Sequence, residues 1–221
     1  MNDKIQILGI SGYFTSVLFD ILEEEGLCNS LEVFSNIKEE IELETPLRKF
    51  PYTVYKPGKQ PNTKAKFILG VSGAQNKIPV FNYFQKKFQI EREDYFKLIH
   101  NTSYIANSSQ IGKACIIEQN VTISSQTSLG FAVSVKRGAL IGHHCKIGDF
   151  VDINPGVIIS GKVEIGSATV LGSGCIINDG IKIGKNCIIG SGSVVTKDIP
   201  SNVIAFGNPC KIIKENTGAN T

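Results

Sequence analysis

No apolar run in this sequence approaches the roughly 20 residues that a membrane span requires, and the N-terminus runs at once into a charged, strand-like segment. Both absences point to a cytoplasmic chain with no membrane partner. The net charge of +3 is spread out, without the Lys/Arg cluster that marks a nucleic-acid surface. Histidine is scarce: His100, His143 and His144 are the only three. A zinc site of three converging histidines would need them all. Adjacent residues in a strand point to opposite faces, so His143 and His144 are poorly placed to share an ion. No metal is expected. The six cysteines form neither a CxxC pair nor a Cys/His ligand spacing, so reduced thiols are the expectation.

What the sequence has in abundance is a repeat. From Ile105 to Pro200 it divides into sixteen consecutive hexapeptides, and every first position is Ile, Leu or Val, from Ile105 and Ile111 through Ile141, Ile147 and Ile153 to Ile189 and Val195. An aliphatic phase kept that long is the mark of repeat architecture. The fifth positions are small or β-branched, among them Val121, Thr127, Ala139, Val151 and Val163. Cys115, Cys145, Cys175 and Cys187 share that position and read as small core residues. A wide aliphatic alternating with a narrow residue suits a prism with flat parallel-strand faces and tight corners. Three hexapeptides make one triangular coil, so residues 18 apart stack at the sheet spacing of about 4.8 Å. No insertion interrupts the phase. The chain leaves it after Pro200, where a segment closing the open end of the solenoid is expected.

The first hundred residues read differently. Lys4 to Gly9 forms a buried strand and leads through a Gly turn into a helix from Phe14 to Glu25. There Phe14, Val17, Leu18, Ile21 and Leu22 make one apolar face, and Gly26 supplies the stop. Leu31 to Phe34 and Lys66 to Val71 are further strands, followed by a helix over 75–87 with Pro79 in its first turn. Residues 39–63, rich in proline, give loop plus an edge strand. This is the βαβ pattern of a parallel sheet. The expected organisation is an α/β domain over 1–98, a β-helix over 99–200, and a cap and tail over 201–221.

Two stretches carry possible chemistry. Gly9-x-x-Gly12 lies at a strand-to-helix turn where a phosphate can rest on backbone N–H groups, although the full G-x-G-x-x-G is missing. The alternative is an ordinary α/β turn that binds nothing. In Ile141-Gly142-His143-His144-Cys145-Lys146, the core positions are Ile141 and Cys145, so His143 is not core packing. Stacking places Ser125 and Gly161 on either side of it, and a glycine there leaves space beside the imidazole with a bare N–H facing that space. A general base with a nearby oxyanion donor needs such an opening. The competing reading is a solvent-facing histidine pair on a prism edge. His100 reads as a packing histidine where the first domain ends.

Taken together, KIQILGISG, FILGVSGAQNKI, LIHNTSYIANSSQIG, ALIGHHCKIGDFVDINPGV and GSGSVVTKDIPSNVIAFGNPCKII resemble the PglD/NeuD-like sugar acetyltransferases of the left-handed β-helix, hexapeptide-repeat acyltransferase superfamily. The resemblance covers nearly the whole chain. It implies a Rossmann-like α/β domain that holds a nucleotide-linked amino sugar, a left-handed parallel β-helix, and a homotrimer with acetyl-CoA bound between subunits. It implies N-acetylation of that sugar, of the 4-amino-4,6-dideoxy type, in surface-glycan biosynthesis. By motif, His143 is the general base toward the sugar amine, with His144 beside it. Gly161 directs its N–H at the thioester carbonyl. Asp152, Ser173 and Ser191 contact acetyl-CoA, and Ser11, Gly12, Tyr13, Ser35, Asn36 and Lys77 contact the sugar nucleotide.

The sequence departs from the family pattern at three places. His144 stands where the family has Asp or Glu supporting the base. Tyr13-Phe14 replaces His-Gly in the first turn, and Ser35-Asn36 replaces an acidic pair. Two other readings therefore accompany the leading one. The first is O-acetylation of a sugar such as sialic acid, against which the missing acid counts because an alcohol needs a stronger base. The second is a trimeric scaffold or binding protein that kept the β-helix and lost catalysis.

Overall fold

The computed structural model describes residues 5–27, 30–38 and 51–218. They form two compact units, the first ending at Leu98 and the second running from Ile99, with Gly73–Gln75 also belonging to the second.

In the first unit, strands β1 (Ile5–Leu8), β2 (Leu31–Phe34), β3 (Tyr52–Tyr55) and β4 (Lys66–Leu69) build one parallel sheet in the order β3-β2-β1-β4. All four residues of β1 are buried, as expected of a central strand covered on both faces. Helix α1 (Gly12–Glu24) begins two residues earlier than its apolar periodicity indicates and buries Phe14, Leu18, Phe19, Ile21 and Leu22. Gly26 closes it at φ +60°. Helix α2 spans Ala74–Phe88, and Pro79 sits inside it rather than in the first turn. The chain passes from β1 outward to β2 and β3, then returns to the opposite side of β1 as β4. In such sheets the crevice beyond the carboxyl ends opens where the strand order reverses, here between β1 and β4. The two strand ends come very close: a Cβ on Gly70 would lie 2.3 Å from the Gly9 carbonyl oxygen, and one on Gly9 would meet Val80 at 2.8 Å. Gly9 is thus explained by packing, independently of any ligand.

The second unit is a left-handed parallel β-helix. Its two-residue strands stack into three faces. One holds Tyr104–Ile105, Thr122–Ile123, Leu140–Ile141, Ile158–Ile159, Ile176–Ile177 and Val194–Val195. A second holds five strands from Gln110–Ile111 to Lys182–Ile183, and the third runs from Leu98–Ile99 through Asp152–Ile153 to the closing hairpin. The register is the 18-residue stack: Ile141 pairs with Ile123 below and Ile159 above. The first-position aliphatics and the four fifth-position cysteines fill one continuous core. Each aliphatic so buried contributes about 1.5–3 kcal/mol.

Corners fall at the third and fourth hexapeptide positions. The fourth residue adopts left-handed φ whether or not it is glycine, as at Gln126, His144, Phe150 and Lys162. Its N–H bonds the third-position carbonyl one coil back, as in His144 to Ser125 (2.9 Å) and Lys162 to His143 (2.8 Å). Those inter-coil bonds offset a backbone cost of about 1–2 kcal/mol per corner. After Pro200, Val203–Phe206 continues the third face and Lys211–Glu215 pairs antiparallel with it, covering that end.

Candidate active site

His143 occupies the third position of the corner that follows Leu140–Ile141. It is exposed, while Ile141 and Cys145 beside it are buried. Its Nε2 points along the stack toward Gly161: a Cβ built on Gly161 would sit 2.6 Å from that nitrogen. The glycine therefore makes the room the imidazole occupies, as the stacking argument requires. Gly161 has an ordinary negative-side φ and is absent from the strained positions, so Gly161→Ala should fold. Its methyl would displace the imidazole, and a misplacement of about 1 Å costs on the order of 10²-fold in rate. We expect Gly161→Ala to keep its melting temperature within a few degrees and to lose turnover on that scale, measured by steady-state kinetics beside thermal denaturation.

One expectation fails at this corner. The Gly161 N–H is not bare: it donates to Asp179 Oδ1 at 2.8 Å. The reason is general to the corners, where a third-position side chain reaches back to the third-position N–H one coil earlier. Asp149 accepts from Phe131 at 2.8 Å, and Ser167 from Asp149 at 3.1 Å. Asp179 stands 18 residues beyond Gly161 and fills the same role. Adding the coil length once more to the glycine's number would have found it.

His144 takes the adjacent left-handed corner position, and its Nδ1 lies 3.0 Å from His143 Nδ1. Only one proton fits between two such nitrogens. When it resides on His143, the His144 nitrogen accepts, and the His143 Nε2 lone pair is left facing the Gly161 gap. A neutral histidine can thus orient the ring, the task expected of an acid at this position, without supplying its charge. His144→Glu should therefore raise turnover at neutral pH. A rate unchanged or lowered in the same assay would show that the pair itself is the better support.

The remaining predicted residues divide by location. Ser173 and Ser191 are exposed and stacked one coil apart, but on the corner preceding the Ile176–Ile177 face, whereas His143 lies on the corner following that face. A single chain does not bring them together. Asp152 lies on the third face, is 2 % exposed, and its Oδ1 faces the Gly73 N–H at 3.4 Å. It is thus a buried carboxylate held against a backbone N–H. In the first unit, Ser11 precedes α1 and gives it no side-chain cap, leaving the first-turn N–H groups uncapped. Gly12 is the first helical residue, and Tyr13 is 79 % exposed. Ser35 is buried, exchanging hydrogen bonds with Ile37 through its hydroxyl (2.9 and 3.2 Å), and Asn36 follows half-buried. Ser11–Tyr13 and Ser35–Asn36 thus follow the carboxyl ends of neighbouring strands. Lys77 on α2 is buried at 1 % exposure.

His100 is buried. Its Nδ1 accepts the Thr102 N–H at 3.2 Å and lies 2.9 Å from the Thr102 hydroxyl, which makes it a local packing and capping group. Burial pushes the Cys145 thiol up, and that of Cys175 to about 12. These sulfurs stay protonated near neutral pH and act as core, not as nucleophiles. Cys28 lies outside the described residues. Among those residues no group of three or more His, Cys, Asp or Glu could hold a metal ion, and no helix is long and apolar enough to cross a membrane.

Residues 162–197 match the family model described as bacterial transferase hexapeptide (six repeats). None of the curated proteins matches the chain by sequence. Among solved structures, the chain is similar to the acetyltransferase domain of PglB from Neisseria gonorrhoeae in complex with acetyl coenzyme A, with 20 % identity, 96 % of this chain and 100 % of that one covered, and a TM-score of 0.79. A histidine-to-asparagine mutant of perosamine N-acetyltransferase from Caulobacter crescentus, in complex with CoA and GDP-perosamine, matches at 21 % identity over 96 % and 97 % of the two chains, with a TM-score of 0.77. WeeI from Acinetobacter baumannii matches at 21 % identity over 95 % and 99 %, with a TM-score of 0.76. At these identities the likeness extends to the fold of both units.

Proposed function

We propose that this protein is an acetyl-CoA-dependent N-acetyltransferase acting on a nucleotide-linked amino sugar of surface-glycan biosynthesis, with His143 as general base. The observation that carries the reading is His143 Nε2 lying against Gly161, the one third-position residue of the repeat that is glycine. The names of the similar structures support the substrate class, since one contains acetyl coenzyme A and another CoA with GDP-perosamine.

In this mechanism the amine nitrogen attacks the thioester carbonyl carbon while Nε2 of His143 takes the proton it sheds. The carbon–sulfur bond then breaks, and the CoA thiolate leaves with that proton, giving an amide and free CoA. The proton between the two Nδ1 atoms holds the ring in the tautomer this step needs.

The assembly is part of the same reading. The outer positions of the first face are Tyr104, Leu140, Ile158, Ile176 and Val194 with one threonine, and Tyr104, Leu140 and Ile158 are 63, 45 and 40 % exposed. The second face presents Gln110, Ser128, Lys146, Glu164 and Lys182 instead. The apolar face is flanked by the His143 corner on one side and the Ser173/Ser191 corner on the other. A cyclic homotrimer closed through this face sets His143 of one copy beside Ser173 and Ser191 of the next, so acetyl-CoA lies in a groove that no single chain contains. The nucleotide sugar is held by the uncapped first turn of α1 and the ends of β1 and β2, where backbone N–H groups favour a diphosphate.

The test is release of CoA thiol across a panel of UDP-, dTDP- and GDP-linked amino sugars. Turnover with at least one is expected; silence across the panel would sink the reading in favour of a non-catalytic scaffold.

A further inference from the structure

We infer that Asp179 is the group that receives the substrate's ammonium, and so makes the site selective for an amine over a hydroxyl. This rests on the acetyltransferase reading above and deepens it.

Three residues stack at this corner: His143, Gly161 and Asp179, each 18 residues from the next. The point where a Gly161 side chain would begin is 2.6 Å from His143 Nε2 and 3.1 Å from Asp179 Oδ1. Base and carboxylate therefore lie within about 6 Å of each other, on either side of a residue with no side chain to separate them. A substrate nitrogen hydrogen-bonds acceptors at about 2.7–3.2 Å, so one nitrogen on the solvent side of Gly161, where both His143 and Asp179 are exposed, can reach both. Once the ammonium has lost one proton to solvent, the amine keeps one N–H on the carboxylate and presents the other to Nε2, which takes it as the nitrogen attacks.

The state of Asp179 suits this role. Its Oδ1 is fixed by the Gly161 N–H at 2.8 Å, which holds the carboxylate in place, while a carboxylate retains acceptor capacity beyond one bond. It is exposed, and among the described residues no lysine or arginine closes an ion pair with it. Its negative charge is left for a ligand. A free sugar amine is a cation near neutral pH, whereas a sugar hydroxyl is neutral. A carboxylate aimed at the attack position therefore favours the amine by charge and by hydrogen-bond donor count. After acetylation the nitrogen is a neutral amide, and the attraction that held the substrate is gone, which aids release of the product.

The competing role for Asp179 is purely architectural, as the cap of the Gly161 N–H, and Asn can perform it equally through its amide oxygen. Asp179→Asn therefore separates the two. We expect the KM for the amino sugar to rise tenfold or more in Asp179→Asn, with the KM for acetyl-CoA and the melting temperature unchanged. Asp179→Ala should show the same rise. An Asp179→Asn enzyme with the wild-type KM for the amino sugar overturns the inference, and so does an Asp179→Ala enzyme that gains turnover, which would show the carboxylate merely blocking the Gly161 N–H. A wild-type protein inactive with every amino sugar overturns the acetyltransferase reading and this one together, whereas an active wild type with indifferent Asp179 variants overturns this one alone.

Discussion

His143→Ala is expected to lose turnover by about 10²–10⁴-fold, the span attributed to a positioned general base, or about 3–5 kcal/mol of barrier. Binding of acetyl-CoA should survive within a few fold, because the side chain is exposed and no core contact depends on it. The fold should survive for the same reason, since the first- and fifth-position residues around it carry the packing. Steady-state kinetics together with titration calorimetry for acetyl-CoA measures both quantities. A variant that keeps most of its turnover would return His143 and His144 to a solvent-facing pair on a prism edge.

Leu140→Asp is expected to dissociate the assembly and abolish activity together. Leu140 lies on the outside of the prism and is 45 % exposed in the single chain, so the β-helix of an isolated copy tolerates the change. In the proposed trimer each carboxylate would be buried against apolar neighbours without a partner, at a cost of several kcal/mol per ion. Three such sites overwhelm a closed ring. Light scattering should move from the trimer to the monomer mass while circular dichroism stays unchanged. Turnover should vanish with the trimer, because His143 and the Ser173/Ser191 corner would belong to different copies. Lys146→Asp, on the polar second face, is the control expected to leave the mass alone. A monomeric wild type, or a monomeric Leu140→Asp enzyme at full activity, would contradict the shared-groove arrangement.

The β-helix was legible because its period is rigid. Once Ile105 to Val195 are in phase, the 18-residue stack follows, and with it the neighbours of His143 and the burial of four cysteines. The same rule reaches Asp179, which went unremarked because the stack was followed one coil from His143 and not two. The burial of Asp152 was not legible for a different reason. An outward hexapeptide position is exposed only if nothing covers its face, and no periodicity records that Asp152 faces Gly73. In the first unit, periodicity located α1 and α2 but not their first turns. Gly12 and Tyr13 carry no apolar signal, and Pro79 is accommodated within α2 where a first-turn position was the simpler assumption. Gly9 had a partial phosphate-turn reading, yet a side chain there would run into Val80 and Val71. That packing need explains the residue whether or not a phosphate binds nearby.

The substitution of His144 for an acid also changed meaning once the geometry was known. Read as sequence, it weakens the base. Read with Nδ1 against Nδ1 at 3.0 Å, it still fixes the ring, and the same corner keeps a carboxylate in Asp179, beside Gly161. An N-acetyltransferase can use charge placed there, because its nucleophile arrives as a cation. An O-acetyltransferase gains little from it.

The central claim is that acetyl passes from CoA to a sugar nitrogen at the His143 corner. The most direct measurement is NMR of the product formed from acetyl-CoA and the best nucleotide-linked amino sugar. The account predicts a single new amide at the amino-bearing carbon, formed by the wild type and not by His143→Ala. An ester at a sugar hydroxyl, or free acetate without an acetylated sugar, would contradict it.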